Sequence, residues 1–383
     1  MEKKSARLQG KRIALCVAGS IAAIESPKLA RELRRHGAEV QAYMSDAALD
    51  ILHPNAMEFA TGKEVITKIS GKLEHLYSFD LVLVAPATAN IIGKIANGIA
   101  DSVISTLVLS TRARVVLAPA MHEEMYESRI LRENLGKLRR YGYGFVEPRF
   151  REGKAKMAKI EDIVDRAIYE LYDKDLKGKK VVVTAGPTVE YIDPIRIITN
   201  KSSGKMGIAV AREAYFRGAD VKLIYGYGIE TPPPYLAVVH VETGQEMLAA
   251  SLQEMPCDIF ISAAAVSDFT VKEEKEKLKS DREIDIKLIP TPKILEKIKK
   301  HRCIKVGFKA LHSVSEAELV DAASQAREKY GLDLVVANDV ARDIFRSDES
   351  EVYLVSGEGV EHIPRTSKDE IAIEIFNRIR NKL

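Results

Sequence analysis

The sequence contains no tryptophan and only three cysteines, Cys16, Cys257 and Cys303, which are far apart and form no Cys-x-x-Cys pair. That spacing excludes the common zinc frameworks and predicts a reducing, cytoplasmic setting without structural metal. A charge bias is missing too, since 58 basic and 55 acidic residues leave a net charge of +3. Such a balance exerts no strong pull on nucleic acid or anionic lipid, so neither is an expected partner and small-molecule chemistry is. No apolar run approaches the ~18 residues of a membrane span. The opening "MEKKSARLQGKRIALCVAGSIAAI" has the basic-then-apolar order of a signal peptide. Its "RIALCVAGS" reads better as a buried strand that enters a turn of small residues.

A chain of 383 residues, 46% of them hydrophobic, is long for one core and predicts two α/β domains. Apolar strands read at "RIALCVA", "EVQAYMS", "DLVLVAP" and "RVVLAPA", with helical stretches near 20–36, 89–110, 122–140 and 160–172. That alternation predicts a parallel sheet covered by helices on both faces. Polarity rises in "YDKDLKGKK", residues 172 to 180, which places a boundary between domains 1–175 and 176–383. The second half restarts with "VVVTAGPT" and continues through "VKLIYG", "AVVHVE", "DIFISAAA", "IKVGFKA", "DLVVAND" and "EVYLVS". It predicts a second doubly wound, Rossmann-like domain. In such sheets ligands lie beyond the carboxyl ends of the strands, so the informative residues follow each apolar run.

After the first strand, Gly19 allows close backbone approach and Ser20 offers a hydroxyl where a helix begins, an arrangement suited to a phosphate. The same turn also serves simply to pack a helix closely. After "DLVLVAP", Thr88 and Asn90 are placed either to hydrogen-bond a ligand or to cap the following helix. Taken alone, His75, in "EHLYSFD", reads as a solvated or structural histidine rather than a base.

The segments "GSIAA", "EHLYSFD", "PATAN", "NGIADSVIST" and "APAMHEEM" together resemble the flavin-dependent cysteine decarboxylases, in particular the phosphopantothenoylcysteine decarboxylase half of the bifunctional coenzyme A enzymes. The resemblance covers most of residues 11 to 172 and implies a flavodoxin-like flavoprotein. It implies that Gly19, Ser20, Ser45, Thr88 and Ser105 hold FMN, that His75 is the catalytic base, and that Asn90 binds the substrate carboxylate. Met121, His122 and Met125 would contact substrate. Two departures stand out: His122 replaces the asparagine usual in that segment, and "EPRFREGKAKMAKIED" lacks the family's proton-donating flap cysteine. Either Lys154 or Lys156 then supplies the proton, which is the expectation, or the first half stops at the oxidised enethiol as some family members without that cysteine do.

In the second half, "TNKSSGKMG" looks like a phosphate-binding Walker loop, but Thr199 stands where the first glycine belongs and Met206 where magnesium needs a hydroxyl. With "SAAAVSDF", "KLK", "TPKIL", "VGFKA" and "VAND", the long "AGPTVEYIDPIRIITNKSSGKMG" resembles the phosphopantothenate–cysteine ligase half of the same enzymes. That likeness implies CTP and Mg2+ as co-substrate and ion, with 4′-phosphopantothenate and cysteine as substrates. Asn200 would hydrogen-bond the acyl-cytidylate. Ser202, Ser203 and Gly204 would approach the phosphates, and Lys277 would neutralise charge on them. Asp268, Phe308 and the turn Thr291, Pro292, Lys293, Ile294 would surround the nucleotide. Where bacterial members carry nucleotide-contacting lysines, this chain has Ala326 and Tyr330, with Arg327 and Lys329 beside them and Lys309 as a substitute. The resemblance also implies a homo-oligomer, trimeric through the decarboxylase and dimeric through the ligase. Rival readings are a flavin-binding regulatory subunit, which predicts loss of His75 or an acidic tail, and a two-domain oxidoreductase, which predicts glycine fingerprints after Cys16 or Val183.

Overall fold

The computed structural model describes residues 3–279, 283–341 and 347–382. The chain forms two compact units, Met1–Tyr172 and Asp173–Leu383.

In the first unit the apolar runs become β1 (Arg12–Val17), β2 (Glu39–Met44), β3 (Leu81–Ala87) and β4 (Arg114–Pro119). A short β5 (Met121–His122) leaves this sheet, and β6 (Gly144–Phe145) rejoins its edge. The order is β2-β1-β3-β4-β6, parallel throughout, which is the flavodoxin-like arrangement. Every residue of β3 is buried, as expected for a strand covered on both faces. The covering helices are α1 (Ser26–Arg35), α2 (Asp46–Leu49), α3 (Pro54–Thr61), α4 (Ala89–Ala96), α5 (Val103–Ser110), α6 (Glu123–Glu127), α7 (Arg129–Arg140) and α8 (Ile160–Leu171). On α1, Leu29, Ala30 and Leu33 bury one face, and Arg34 and Arg35 complement the dipole at its carboxyl end.

Several expected helices are interrupted for local reasons. The stretch 89–110 breaks at Gly98, which has φ +69°, and restarts where Ser102 and Ser105 form a capping box. The stretch 122–140 breaks at Ser128, whose hydroxyl accepts from Leu131 N and caps α7. A hairpin of β7 (Arg149–Arg151) and β8 (Lys154–Lys156) was not legible, because "RFREGKAK" is charged and shows no apolar alternation. It pairs with β5 into an antiparallel three-stranded sheet, turning at Glu152 and Gly153, both with positive φ.

The second unit begins its main sheet with β9 (Lys180–Ala185), and the following long loop carries a hairpin of β10 (Val189–Tyr191) and β11 (Ile197–Thr199). Next come α9 (Lys205–Phe216), β12 (Asp220–Tyr225), β13 (Ala237–His240), α10 (Gly244–Gln253) and β14 (Ile259–Ser262). A small pair, β15 (Phe269–Thr270) and β16 (Ile289–Pro290), precedes α11 (Ile294–Ile298), β17 (Ile304–Leu311), α12 (Glu316–Tyr330) and β18 (Leu334–Asp339). The unit ends with β19 (Glu349–Ser356), β20 (Gly359–Ser367) and α13 (Lys368–Ile379). The sheet order is β13-β12-β9-β14-β17-β18-β19-β20, so its first six strands repeat the dinucleotide-fold order. The last two strands pair antiparallel, β19 with β18 and β20 with β19. Strand β20 escaped the sequence reading because it is an exposed edge of mostly polar residues, where Pro364 is tolerated.

Among the described residues no helix is long and apolar enough to cross a membrane. The second unit is fastened by one buried cation: Arg217, at the end of α9, meets Glu213 at 2.7 Å, Asp175 at 3.0 Å and the Asn377 side chain of α13 at 2.6 Å. Arg217 and Glu213 are both buried, so removing one strands the other without solvent. Arg217→Ala should therefore lower the unfolding free energy by about 3–5 kcal/mol in denaturant titration. A loss within about 0.5 kcal/mol would show that the cluster is not what joins these elements.

Candidate functional site

In the first unit the loops after β1, β2, β3 and β4 converge on one cleft of about 460 Å3. Gly19, Ser20, Ser45, Thr88, Asn90, Met121, His122 and Met125 all line it. The β1/β3 neighbourhood is where the sheet's winding reverses, so the cleft lies at its switch point. Gly19 has no alternative there: a Cβ would stand 2.4 Å from Ala47 Cβ and 2.9 Å from its backbone. Ser20, Ser45 and Thr88 are each N-caps, accepting from Ala22 N at 3.4 Å, Ala48 N at 3.3 Å and Ile91 N at 3.3 Å. A capping hydroxyl accepts that bond through oxygen and keeps its own O–H to donate. Capping and ligand binding are thus compatible, and three cleft-lining hydroxyls around a glycine fit the phosphate of FMN.

Ser105 does not line the cleft. It is buried behind Ser102, with which it shares hydrogen bonds of 2.8 Å between hydroxyls and 3.1 Å to the backbone N–H. Ser102, Lys94 and Asp101 form that wall instead, the last two paired at 2.8 Å. The signal for Ser102 was the Ser-x-x-Ser capping pattern at the start of "SVIST".

His75 also lies outside the cleft's lining. It sits on a short 3-10 turn, Glu74–Leu76, whose Glu74 carbonyl accepts from Tyr43 Oη at 2.8 Å and whose His75 carbonyl accepts from Ser110 Oγ at 2.6 Å. The turn is held at both ends, yet the His75 Nδ1 is buried with no hydrogen-bond partner among the described residues. Beside the cleft, and sharing Ser20, Met121 and His122 with it, a second cavity of about 600 Å3 opens under the β7–β8 hairpin. Lys154 and Lys156 both line it. Lys156 is held 2.7 Å from Glu152, whereas Lys154 makes no ion pair among the described residues.

In the second unit the loop between β9 and α9 spans residues 186 to 204, and it is folded against two later segments. Asn200 Nδ2 donates to Ala265 O at 2.9 Å, and Ser267 N donates to Thr188 Oγ1 at 2.9 Å. Thr291 Oγ1 donates to Ser267 O at 2.6 Å and Thr291 N to Asp268 O at 3.0 Å, while Lys293 pairs with Asp268. Asn200, Asp268, Thr291, Pro292, Lys293 and Ile294 are thereby gathered beyond the ends of β9 and β14, the switch point of this sheet. Phe308 lies on β17, beside β14, half-buried against the core.

Gly204 opens α9 with φ +89°, and a Cβ there would meet Tyr225 Oη at 2.6 Å. The Ser202 and Ser203 hydroxyls accept from Gly204 N and Lys205 N, both at 3.4 Å. Lys205, the Walker-like lysine, instead pairs with Asp348 at 2.6 Å and Glu230 at 3.8 Å. Lys277 is exposed, in a segment docked on the loop through Leu278 N to Asp193 Oδ2 at 3.1 Å and Glu274 N to Ile192 O at 2.9 Å. Arg327 and Lys329 sit in the last turn of α12, at the end of the sheet where β18 begins, while Lys309 is near the carboxyl end of β17. Those two helix residues are therefore not gathered with the loop.

Sequence reasoning missed Asp193. Its fully buried carboxylate accepts from Ile195 N and Arg196 N, both at 2.8 Å, from Arg196 Nη1 at 2.6 Å and from Leu278 N. Burial raises this carboxyl, but those backbone donors and the guanidinium outweigh it and hold it below the usual carboxylate range. The anchor is thus intact at neutral pH and fails only as pH falls through that lowered value. The Asp-Pro in "YIDPIR" was the available signal, since Asp side chains hydrogen-bond the backbone two residues on.

The Flavoprotein family matches residues 1–172, and the DNA/pantothenate metabolism flavoprotein C-terminal domain family matches residues 176–383. The chain is 49% identical to the coenzyme A biosynthesis bifunctional protein CoaBC of Thermococcus kodakarensis, over 99% of this chain and 97% of that one. It is 40% identical to the protein of the same name from Methanocaldococcus jannaschii, over 98% and 95%. The Haemophilus influenzae protein of that name is 36% identical, over 97% and 98%.

Asp193→Ala should release the 273–279 segment, so that trypsin cuts after Lys275, Lys277 or Lys279 faster than in the parent while first-unit fragments keep their rate. An unchanged cleavage rate would mean that Asp193 does not hold this segment.

Proposed function

The chain belongs to the family of bifunctional coenzyme A biosynthesis proteins, enzymes with a flavoprotein decarboxylase half and a ligase half, and from that membership we propose how its residues divide the work. Residues 176–383 join 4′-phosphopantothenate to cysteine: CTP with Mg2+ turns the carboxylate into an acyl-cytidylate, and the cysteine amine displaces CMP. Residues 1–172 decarboxylate the resulting 4′-phosphopantothenoylcysteine to 4′-phosphopantetheine. The observation that carries this reading is the meeting of Gly19, three capping hydroxyls and Asn90 in a single cleft.

FMN bound there would take two electrons from the cysteinyl Cβ–S unit, so that a thiocarbonyl accepts the electrons left by CO2, and would give them back to the enethiol that remains, leaving no net redox change. Ser20, Ser45 and Thr88 donate to its phosphate, and Ser105 fixes Ser102 in the wall. Asn90 orients the substrate carboxylate through an uncharged amide, which does not resist loss of the charge. Met121, His122 and Met125 border the substrate. His75 takes the substrate proton, a role that contributes about 10²–10⁴ in rate for a positioned base. Because His75 does not line its own chain's cleft, a neighbouring copy supplies it. The family resemblance supports a homo-oligomer as the working unit, threefold through the first half and twofold through the second, and the sparse, unpaired cysteines support a cytoplasmic setting. Lys154 or Lys156 returns the proton in place of a flap cysteine.

In the ligase half Asn200 holds the acyl-cytidylate, Ser202, Ser203 and Gly204 approach the phosphates, and Lys277 neutralises them as a flexible ammonium. Asp268, Phe308 and the Thr291–Ile294 turn, with Pro292 and Lys293, surround the base and sugar, and Lys309 adds charge from β17.

His75→Asn should lower CO2 release by about 10²–10⁴ while pyrophosphate release is retained. A parallel fall of both rates would mean that the two halves do not act separately. With 4′-phosphopantothenate, cysteine and Mg2+, mass analysis should show 4′-phosphopantetheine with CTP and little product with ATP. Equal turnover of ATP would contradict the cytidylate, and accumulation of the unreduced enethiol would contradict the lysine acid.

A further inference from the structure

The β5–β8–β7 sheet concentrates positive charge that carboxylates among the described residues answer only in part. Its register sets Arg149 opposite Lys156 and Arg151 opposite Lys154, and like charges directly opposite one another are destabilising. Paired residues share a face of the sheet, so these four cations stand on one side while Ala155 is fully buried on the other. Glu152, at the hairpin turn, pairs with Lys156 at 2.7 Å and Arg151 at 3.7 Å. Arg149 and Lys154 have no ion pair among the described residues; Asp162 and Glu152 act on them only from longer range. Arg149 Nε is fixed by the Met157 carbonyl at 3.2 Å, which leaves its terminal nitrogens free to meet a ligand.

Both residues line the 600 Å3 cavity that adjoins the cleft, and Lys28, also without an ion pair among the described residues, faces it from α1. Glu25 and Glu161 line it too, so the cavity is cationic at the hairpin rather than throughout. Its other wall is apolar, with Ile21 and Ile24 well exposed to it. A cysteinyl group alone does not need such a volume, which is in the range taken by drug-sized ligands.

We propose that this cavity receives the phosphorylated arm of the substrate whose reacting end lies in the cleft, with Arg149 and Lys154 binding its phosphate monoester and Ile21 and Ile24 packing along its aliphatic amide chain. The inference rests on the decarboxylase reading and adds the specificity of that site for a phosphorylated substrate. A phosphate near neutral pH carries a charge of about −1.5 to −2 and relieves the cross-strand repulsion, and guanidinium offers it a paired-donor geometry. Lys154 is thereby assigned to the anion and Lys156, held by Glu152, to the proton.

The test is titration of the full-length, flavin-loaded chain with 4′-phosphopantetheine and with pantetheine, read from the perturbation of the visible flavin band, which reports binding beside the flavin and not in the ligase half. The parent should prefer the phosphorylated ligand by about tenfold or more. Lys154→Ala, an exposed position without a hydrogen-bond partner to lose, and Arg149→Ala should each shrink that preference with pantetheine affinity little changed. Arg151→Ala, on the same sheet face but outside the cavity, should keep it. Equal affinity of the parent for both ligands, or an equal loss for both in Lys154→Ala, overturns the assignment while leaving the decarboxylase site standing. If neither ligand perturbs the flavin, the decarboxylase reading falls and this inference with it.

Discussion

Both halves depend on a glycine where a side chain has no room. In the first unit a Cβ on Gly19 would lie 2.4 Å from Ala47 Cβ, and in the second a Cβ on Gly207 would lie 2.3 Å from Ala185 Cβ. The first contact sets the turn after β1 against the start of α2, and the second sets α9 against the end of β9. The consequence in the first unit is a cleft walled by backbone and short hydroxyl side chains. In the second, α9 lies tight on β9, and the 19 residues from Gly186 to Gly204 are left to arch over the sheet and meet the segments after β14. A bulkier residue at either position would separate the very groups that each site brings together.

The fold was legible wherever burial dictated composition. The continuous apolar runs of β1, β3, β9 and β14 could be read directly, because a strand covered on both faces has no polar positions to hide it. What escaped was structure that no apolar pattern marks: the charged β7–β8 hairpin, the exposed β20 and the capping breaks at Gly98 and Ser128. Sites followed the same division. Ser20 and Thr88 stood out as short hydroxyl residues after strands and Ser45 only through the family resemblance; all three line the cleft, and all three also cap helices. Ser102 and Asp193 were missed because their importance lies in the bonds they make to Ser105 and to Leu278, which only folding reveals.

His75 shows a different limit. Its turn is bolted to β2 and α5 through Tyr43 and Ser110, so its position within the chain is settled, yet it does not border the cleft. A histidine held outside its own chain's cleft acts as the base only under the proposed contact between copies. Under the proposed function the chain handles two carboxyl groups in turn, the first activated by a nucleotide and the second expelled after oxidation. The cationic hairpin gives the second step a handle on the distant end of the same substrate.

The claim on which these relations rest is that the cleft at the β1/β3 switch point is a flavin site. The most direct measurement is a crystal structure of the chain purified with its own chromophore. The account predicts a yellow protein with flavin density in that cleft and its phosphate among Ser20, Ser45 and Thr88. A colourless protein, or flavin bound at any other place in the fold, would contradict it.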